Sequence, residues 1–180
     1  MTDVQLSTQL KSLVMNEQKT KKRKVAGNFQ VVLGMITQHN VLQLKKLNEA
    51  VFPITYNDKF YTEVKSAGEL AKLAYFNDVV VGAVCCRYDV ILDERALYIM
   101  TLGTLAAYRQ FGVGTVMINH VFKLCENDQT IKILCLHVQI NNETALNFYK
   151  KHGFEQKEIV HDYYRITPSD AYLLVKRIRE

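Results

Sequence analysis

The chain has 180 residues, 48% of them hydrophobic and 23% charged, with only two prolines. That length and apolar content suit one compact domain with its own core, and exclude a collagenous or wholly disordered chain and a two-domain enzyme. The net charge of +5 is concentrated at the start, where residues 1–27 hold Lys11, Lys19, Lys21, Lys22, Arg23 and Lys24 against Asp3 and Glu17. The body is then near neutral, which argues against a basic face for nucleic acid.

Residues 1–27 are polar and Lys-rich, and read as a flexible basic arm preceding a domain over 28–180. The run Thr20-Lys21-Lys22-Arg23-Lys24-Val25 has the charge density that nuclear import receptors select, and it also fits a solvated tail. No apolar run approaches the ~20 residues of a membrane span, and Met1–Leu10 lacks a secretion-signal pattern. The expectation is a cytoplasmic protein, with the nucleus as a second location and no membrane partner.

From Phe29 the pattern becomes regular. Phe29–Met35 reads as a strand, followed by a helix capped by Thr37 with Val41, Leu44, Leu47 and Val51 on one face and ended by Phe52-Pro53. A short helix over Asp58–Ser66 precedes strands Leu70–Phe76 and Val79–Tyr88, which the turn Asn77-Asp78 joins as an antiparallel hairpin. Ala96–Gly103 is a further strand. Tyr108–Gly114 then turns into a helix whose inner stripe is Val113, Met117, Val121, Leu124 and Cys125.

Ile131–Ile140 is a strong strand. Asn141 and Asn142 offer helix caps, Glu143 suits the positive helix start, and Gly153 fits a left-handed stop. Strands over Glu155–Val160 and Ala171–Ile178 complete the chain. The order implies an α/β fold: a mixed sheet of about seven strands with about four helices on its two faces. Cys85, Cys86, Cys125 and Cys135 form no C-x-x-C pair and join no histidine cluster, so they read as buried thiols and no metal site is expected.

The chemistry centres on Arg109-Gln110-Phe111-Gly112-Val113-Gly114, between a strand and a helix. Glycines there let backbone N–H groups approach an anion, and the helix start adds its positive end, so a pyrophosphate fits. The spacing is neither a Walker loop nor a dinucleotide fingerprint. About thirty residues on comes a second block, Asn142, Ala145, Phe148, Tyr149, Gly153 and Phe154, in the pattern N-x-x-A-x-x-F-Y-x-x-x-G-F. These two blocks, in this order and on these elements, resemble the acetyl-CoA site of the GCN5-related N-acetyltransferases (GNAT).

A closer likeness, to the NatE type of protein N-terminal acetyltransferase within that superfamily, is carried by Phe52–Tyr61, Gly68–Tyr75, Gly82–Arg87, Leu97–Gly103 and Leu136–Ile140. The resemblance implies a GNAT fold with a mostly antiparallel sheet, and acetyl-CoA as co-substrate. It places the cofactor against Leu102, Gly103, Arg109, Gln110, Phe111, Gly112, Val113, Gly114, Thr115, Asn142, Ala145, Phe148 and Tyr149. It implies transfer of acetyl to the α-amine of a protein that begins with Met and an apolar residue, with lysine as a side target. The implied partners are that N-terminal peptide and the NatA auxiliary and catalytic subunits at the ribosome.

From spacing alone, Tyr98 reads as an aromatic packed in a half-buried strand and His137 as a satisfied core histidine. The resemblance assigns both as general-base residues acting through ordered water. Period-two geometry puts Tyr98 with Met100 on one strand face and His137 with Cys135 and Gln139 on another, so phenol and imidazole flank one cleft if those faces meet. The implied peptide wall is Phe52, Pro53, Ile54 and Tyr56, with Met100, and Tyr163, Tyr164 and Ile166 from the last loop.

The chain departs from the family pattern at Ala107, where proline is usual, at Gln110, which replaces a basic residue, and at Tyr163–Pro168, one residue shorter. Two other readings stay open: an acetyltransferase for small amines or polyamines, and a weakly active domain that serves as a scaffold on NatA or in chromosome cohesion.

Overall fold

The computed structural model describes residues 30–180, so the arm assigned to 1–27 and the start of the first strand at Phe29 lie outside the described residues. Seven strands form one mixed sheet: β1 (Val31–Met35), β2 (Ala71–Phe76), β3 (Val79–Ile91), β4 (Glu94–Thr104), β5 (Ile133–Gln139), β6 (Glu155–Val160) and β7 (Ala171–Arg177). Their spatial order is β1-β2-β3-β4-β5-β7-β6. Among the described residues four α-helices accompany them: α1 (Val41–Val51), α2 (Asp58–Val64), α3 (Val113–Asn127) and α4 (Glu143–Lys151). No helix among the described residues is long and apolar enough to cross a membrane.

The helices fall on opposite faces because their apolar stripes do. Leu44 and Leu47 of α1, with Phe60, Tyr61 and Val64 of α2, bury against Ala71, Leu73, Ala83 and Cys85. On the other face Val113, Met117, Ile118, Val121 and Cys125 of α3 and Tyr149 of α4 pack on Val84, Cys86, Leu97, Ile99 and Leu134. Leu124, expected in the inner stripe of α3, is only half-buried, and Ile118 takes the place in the core. Burial pushes the thiols of Cys85 and Cys135 up to about 12, which leaves them protonated packing groups.

Local chemistry explains most boundaries. Asn77 and Asp78 adopt φ of 48° and 64°, the geometry that lets a two-residue turn follow the strand twist. Asn57 caps α2 by accepting from the Phe60 N–H, and Asn142 caps α4 by accepting from the Ala145 N–H. Thr37 does not cap α1. Asn40 holds the cap position without a side-chain bond to the helix; its Oδ1 accepts from the Thr37 N–H and its Nδ2 donates to the Met35 carbonyl, closing a tight turn before the helix. The second helix stops at Val64, two residues short of expectation, and a 3-10 turn over Gly68–Leu70 leads into β2.

The feature that creates a site is the β4–β5 pair. These neighbours are parallel and stay in register at Ala96↔Ile133, Leu97↔Leu134 and Tyr98↔Cys135. Among the described residues the register ends there, although β4 runs on to Thr104 and β5 to Gln139. Immediately beyond Tyr98 the β3–β4 register shifts, from Cys86↔Ile99 to Cys85↔Thr101, so Met100 is an extra residue in β4. Such a bulge bends and twists its strand. β4 therefore veers from β5, and the two strands splay into a V.

Candidate active site

The mouth of that V is a cavity of about 150 Å³. β4 supplies Met100 and Leu102, β5 supplies His137, and the start of α4 supplies Asn142, Ala145 and Tyr149. The loop between α1 and α2 closes one side with Phe52, Pro53, Ile54 and Tyr56, and the β6–β7 loop closes the other with Tyr164 and Ile166. Twelve of the side chains expected from sequence thus meet in one place. Ring contacts stiffen the first wall, with Tyr56 edge-on to Phe52 at 5.9 Å and tilted on Phe60 at 4.8 Å.

Tyr98 and His137 meet at the vertex. The Tyr98 hydroxyl lies 2.9 Å from His137 Nδ1 and 2.9 Å from the Tyr163 hydroxyl. The Tyr163 ring stacks on the imidazole at 4.2 Å and 13°, and the Tyr164 hydroxyl donates to the His137 carbonyl. Behind the phenol, the Arg87 guanidinium sits 4.9 Å from the ring centroid and is itself held by Asp89. The two strand faces named from period-two geometry do meet.

Burial decides the protonation states. It lowers the pKa of His137, so the imidazole is neutral at pH 7 and able to accept a proton. It raises the pKa of Tyr98 far above the ordinary phenol value, with the neighbouring Tyr163 adding to the effect, so Tyr98 keeps its proton. Tyr164 is pushed up by burial to about 12, and buried Tyr149 also stays a neutral phenol. Between the two candidates, the imidazole is the acceptor and the phenol the donor or relay.

Tyr98 and Tyr163 do not line the cavity themselves and reach it through their contacts with His137. Gly103, Phe148 and the segment Arg109–Thr115 do not line it either. A Cβ on Gly103 would lie 2.7 Å from Val51 and 2.8 Å from Phe52, so its missing side chain lets the end of α1 seat against β4. In the loop, Gln110 has φ of 69° and Gly112 φ of 83°, and Gly112 is the cap residue at the start of α3. No atom stands within 4 Å of the place its Cβ would occupy. Gly114 faces the Phe148 ring, whose edge would be 3.2 Å from an added Cβ. The loop has no acidic side chain and ends in a helix start, a combination that suits a phosphate.

Ile99, Thr101, Leu136, Val138 and Gln139 also line the cavity and were not expected. Face parity hides Leu136 and Val138, because they alternate with His137 along β5. A gap between strand edges is open to both faces, so residues of either parity reach it. Gln139 shares the His137 face, and its amide donates to the Pro168 carbonyl at 2.6 Å.

The acetyltransferase (GNAT) family model matches residues 41–154, and the chain belongs to that family. Two relatives are each 57% identical over 150 residues, 83% of this chain: N-alpha-acetyltransferase 50 of Danio rerio, 89% of which is covered, and the probable N-acetyltransferase san of Drosophila melanogaster, 82% covered. Among solved structures, Arabidopsis thaliana Naa50 in complex with the bisubstrate analogue CoA-Ac-MVNAL is 45% identical. It superposes with a TM-score of 0.75 over 81% of this chain and 97% of that one.

Proposed function

We propose that this chain is a protein N-terminal acetyltransferase that moves acetyl from acetyl-CoA to the α-amine of proteins beginning with Met and an apolar residue, by direct transfer in a ternary complex. One observation supports the reading: the β4–β5 gap sets a neutral imidazole in a cleft walled by aromatic side chains, with a protonated phenol hydrogen-bonded behind it at 2.9 Å. The relatives' names and the CoA-peptide conjugate bound by the Arabidopsis protein support it.

Bound acetyl-CoA supplies an activated acyl thioester. Gly112–Thr115 at the start of α3 would hold its pyrophosphate through backbone N–H groups, and Asn142, Ala145 and Tyr149 would flank the thioester end. An incoming α-amine, ordinary pKa 7.7–8.0, needs only ~1 kcal/mol to lose its proton near pH 7.2, where lysine needs ~4. An ordered water takes that proton and passes one of its own to the Tyr98 hydroxyl, which hands its proton to His137 at Nδ1. Backbone N–H at Leu102, on the strand that has lost its neighbour, would face the charge developing on the acyl oxygen. Tyr149 keeps a phenolic proton that it can give to the departing sulfur.

The aromatic wall fits a methionine side chain, whose burial is worth about 1.5–3 kcal/mol. No carboxylate lines the cavity among the described residues, as a polyamine would want. The proposal extends to lysine as a side target, to association with the NatA auxiliary and catalytic subunits, and to a cytoplasmic location with nuclear access through the basic run at residues 20–25. Acetyl-CoA turnover on peptides varied at positions one and two, beside lysine peptides and spermidine, tests it. Preference for Met-Leu peptides is expected, and turnover confined to spermidine overturns it.

A further inference from the structure

We infer that Asp170 is a positioning residue for the peptide site: its carboxylate closes the β6–β7 loop into the form that carries Tyr163, Tyr164 and Ile166 to the gap. The inference takes the gap as the peptide site proposed above.

Residues 161–170 leave the sheet at Val160 and return at Ala171. Both ends are tied to one side chain. Asp170 Oδ1 accepts from the Asp162 N–H at 3.1 Å and Oδ2 bonds His161 Nδ1 at 2.8 Å. Ser169 donates to the Asp162 carboxylate at 2.9 Å, and the Tyr164 N–H donates to the Ser169 carbonyl at 2.7 Å.

Asp162 has a φ of 53°, in the left-handed region that aspartate visits more readily than most residues, and the bond from its N–H to Asp170 holds it in that form. Tyr163, the next residue, is the one that stacks on His137 and bonds Tyr98.

The closed loop then hangs from β5. Ile140 N–H donates to the Asp170 carbonyl and the Gln139 amide to the Pro168 carbonyl. Asp170 thus joins the loop's internal closure to its suspension from the strand that bears His137. It does not line the cavity, and its side chain bonds His161, Asp162 and Ser169 rather than Tyr98 or His137. A short side chain with two acceptor oxygens is what two donors on successive residues require. Asparagine keeps one oxygen for the Asp162 N–H and offers its amide to His161; alanine offers neither.

The test compares wild type, Asp170→Ala and Asp170→Asn in the full chain. The first readout, independent of activity, is the rate of tryptic scission after the exposed Arg165 in the native protein, which reports local opening. Asp170→Ala should raise it about tenfold and Asp170→Asn about twofold at most.

The second readout is the KM split: Asp170→Ala should raise the KM for a Met-Leu peptide about tenfold, while the KM for acetyl-CoA stays within about twofold and Asp170→Asn restores the peptide value. Unchanged scission in Asp170→Ala overturns the inference. So does accelerated scission with an unchanged peptide KM, or an equal rise in both KM values. Should the wild type acetylate no N-terminal peptide, the functional reading is what fails, and the scission rate alone decides whether Asp170 holds the loop.

Discussion

The hydroxyl of Tyr98 stands between two acceptor-donor partners, His137 Nδ1 and the Tyr163 hydroxyl, each at 2.9 Å. Tyr98 comes from the last residue pair at which β4 and β5 are in register, and His137 lies two residues beyond its partner Cys135. The pair therefore sits where the sheet begins to open, close enough to exchange a proton yet next to space that a substrate can enter.

The pH dependence separates the two groups. Burial lowers the pKa of His137, so its protonation removes activity only below its ordinary value of 6.5, while the α-amine of the substrate sets the main rise through pH 7.7–8.0. His137→Ala should cost ~10²-fold in kcat/KM at pH 6.5–7 and less above pH 8, where the amine deprotonates unaided. Tyr98→Phe, which leaves the acceptor in place, should lose less at low pH. Rate profiles over pH 6–9 check this, and parallel profiles for the two variants contradict it.

Tyr163 covers the imidazole. Although 42% exposed itself, it shields one face of His137 by stacking at 4.2 Å. Tyr163→Ala should let water reach the ring and move the His137 pKa up toward 6.5, whereas Tyr163→Phe keeps the stack and leaves the titration near that of wild type. NMR titration of the His137 ring reads the difference directly.

Two glycines should fail in different ways. Gly112→Ala meets no atom but must hold φ of 83°, a strain of about 1–2 kcal/mol at the phosphate-facing turn, so the KM for acetyl-CoA should rise with the peptide KM unchanged. Gly103→Ala drives a methyl into Val51 and Phe52 and displaces the peptide wall, so the peptide KM should rise first. Steady-state kinetics with each substrate varied in turn tells them apart.

Stability has an anchor far from the site. The Arg179 guanidinium donates to the carbonyls of Cys125 at 2.7 Å, Ile131 at 3.0 Å and Asp128 at 3.2 Å, and its Nε to Gln129, capping the end of α3. Arg179→Ala strands several carbonyls and should cost about 2 kcal/mol, a fall of roughly 4–8 °C in Tm by calorimetry, with both KM values unaltered.

Much of the fold is legible in the sequence. Apolar runs and helical spacing locate the strands and α-helices of the described chain, because the central strands are buried on both faces and the helices bury one stripe, and both patterns are local. Caps are less legible: Thr37 and Asn40 are both capping residue types, and the turn that Asn40 closes with Met35 and Thr37 delays the helix to Val41. The bulge at Met100 leaves no local mark, since an extra residue in a strand disturbs pairing and not composition. Leu136, Val138 and Gln139 were missed for the same reason, as their access depends on two strands parting. Tyr98 and His137 were named by likeness, and spacing alone would have left both in the core.

The central claim is that the V between β4 and β5 holds a thioester and a chain terminus together. Calorimetric titration with coenzyme A, and then with coenzyme A joined through an acetyl bridge to a Met-Leu peptide, measures this most directly. Joint occupancy predicts that the conjugate binds at least ~10²-fold more tightly than coenzyme A, with the advantage reduced when Tyr56 or Tyr164 is replaced by alanine. Equal affinity for the two ligands would contradict the claim.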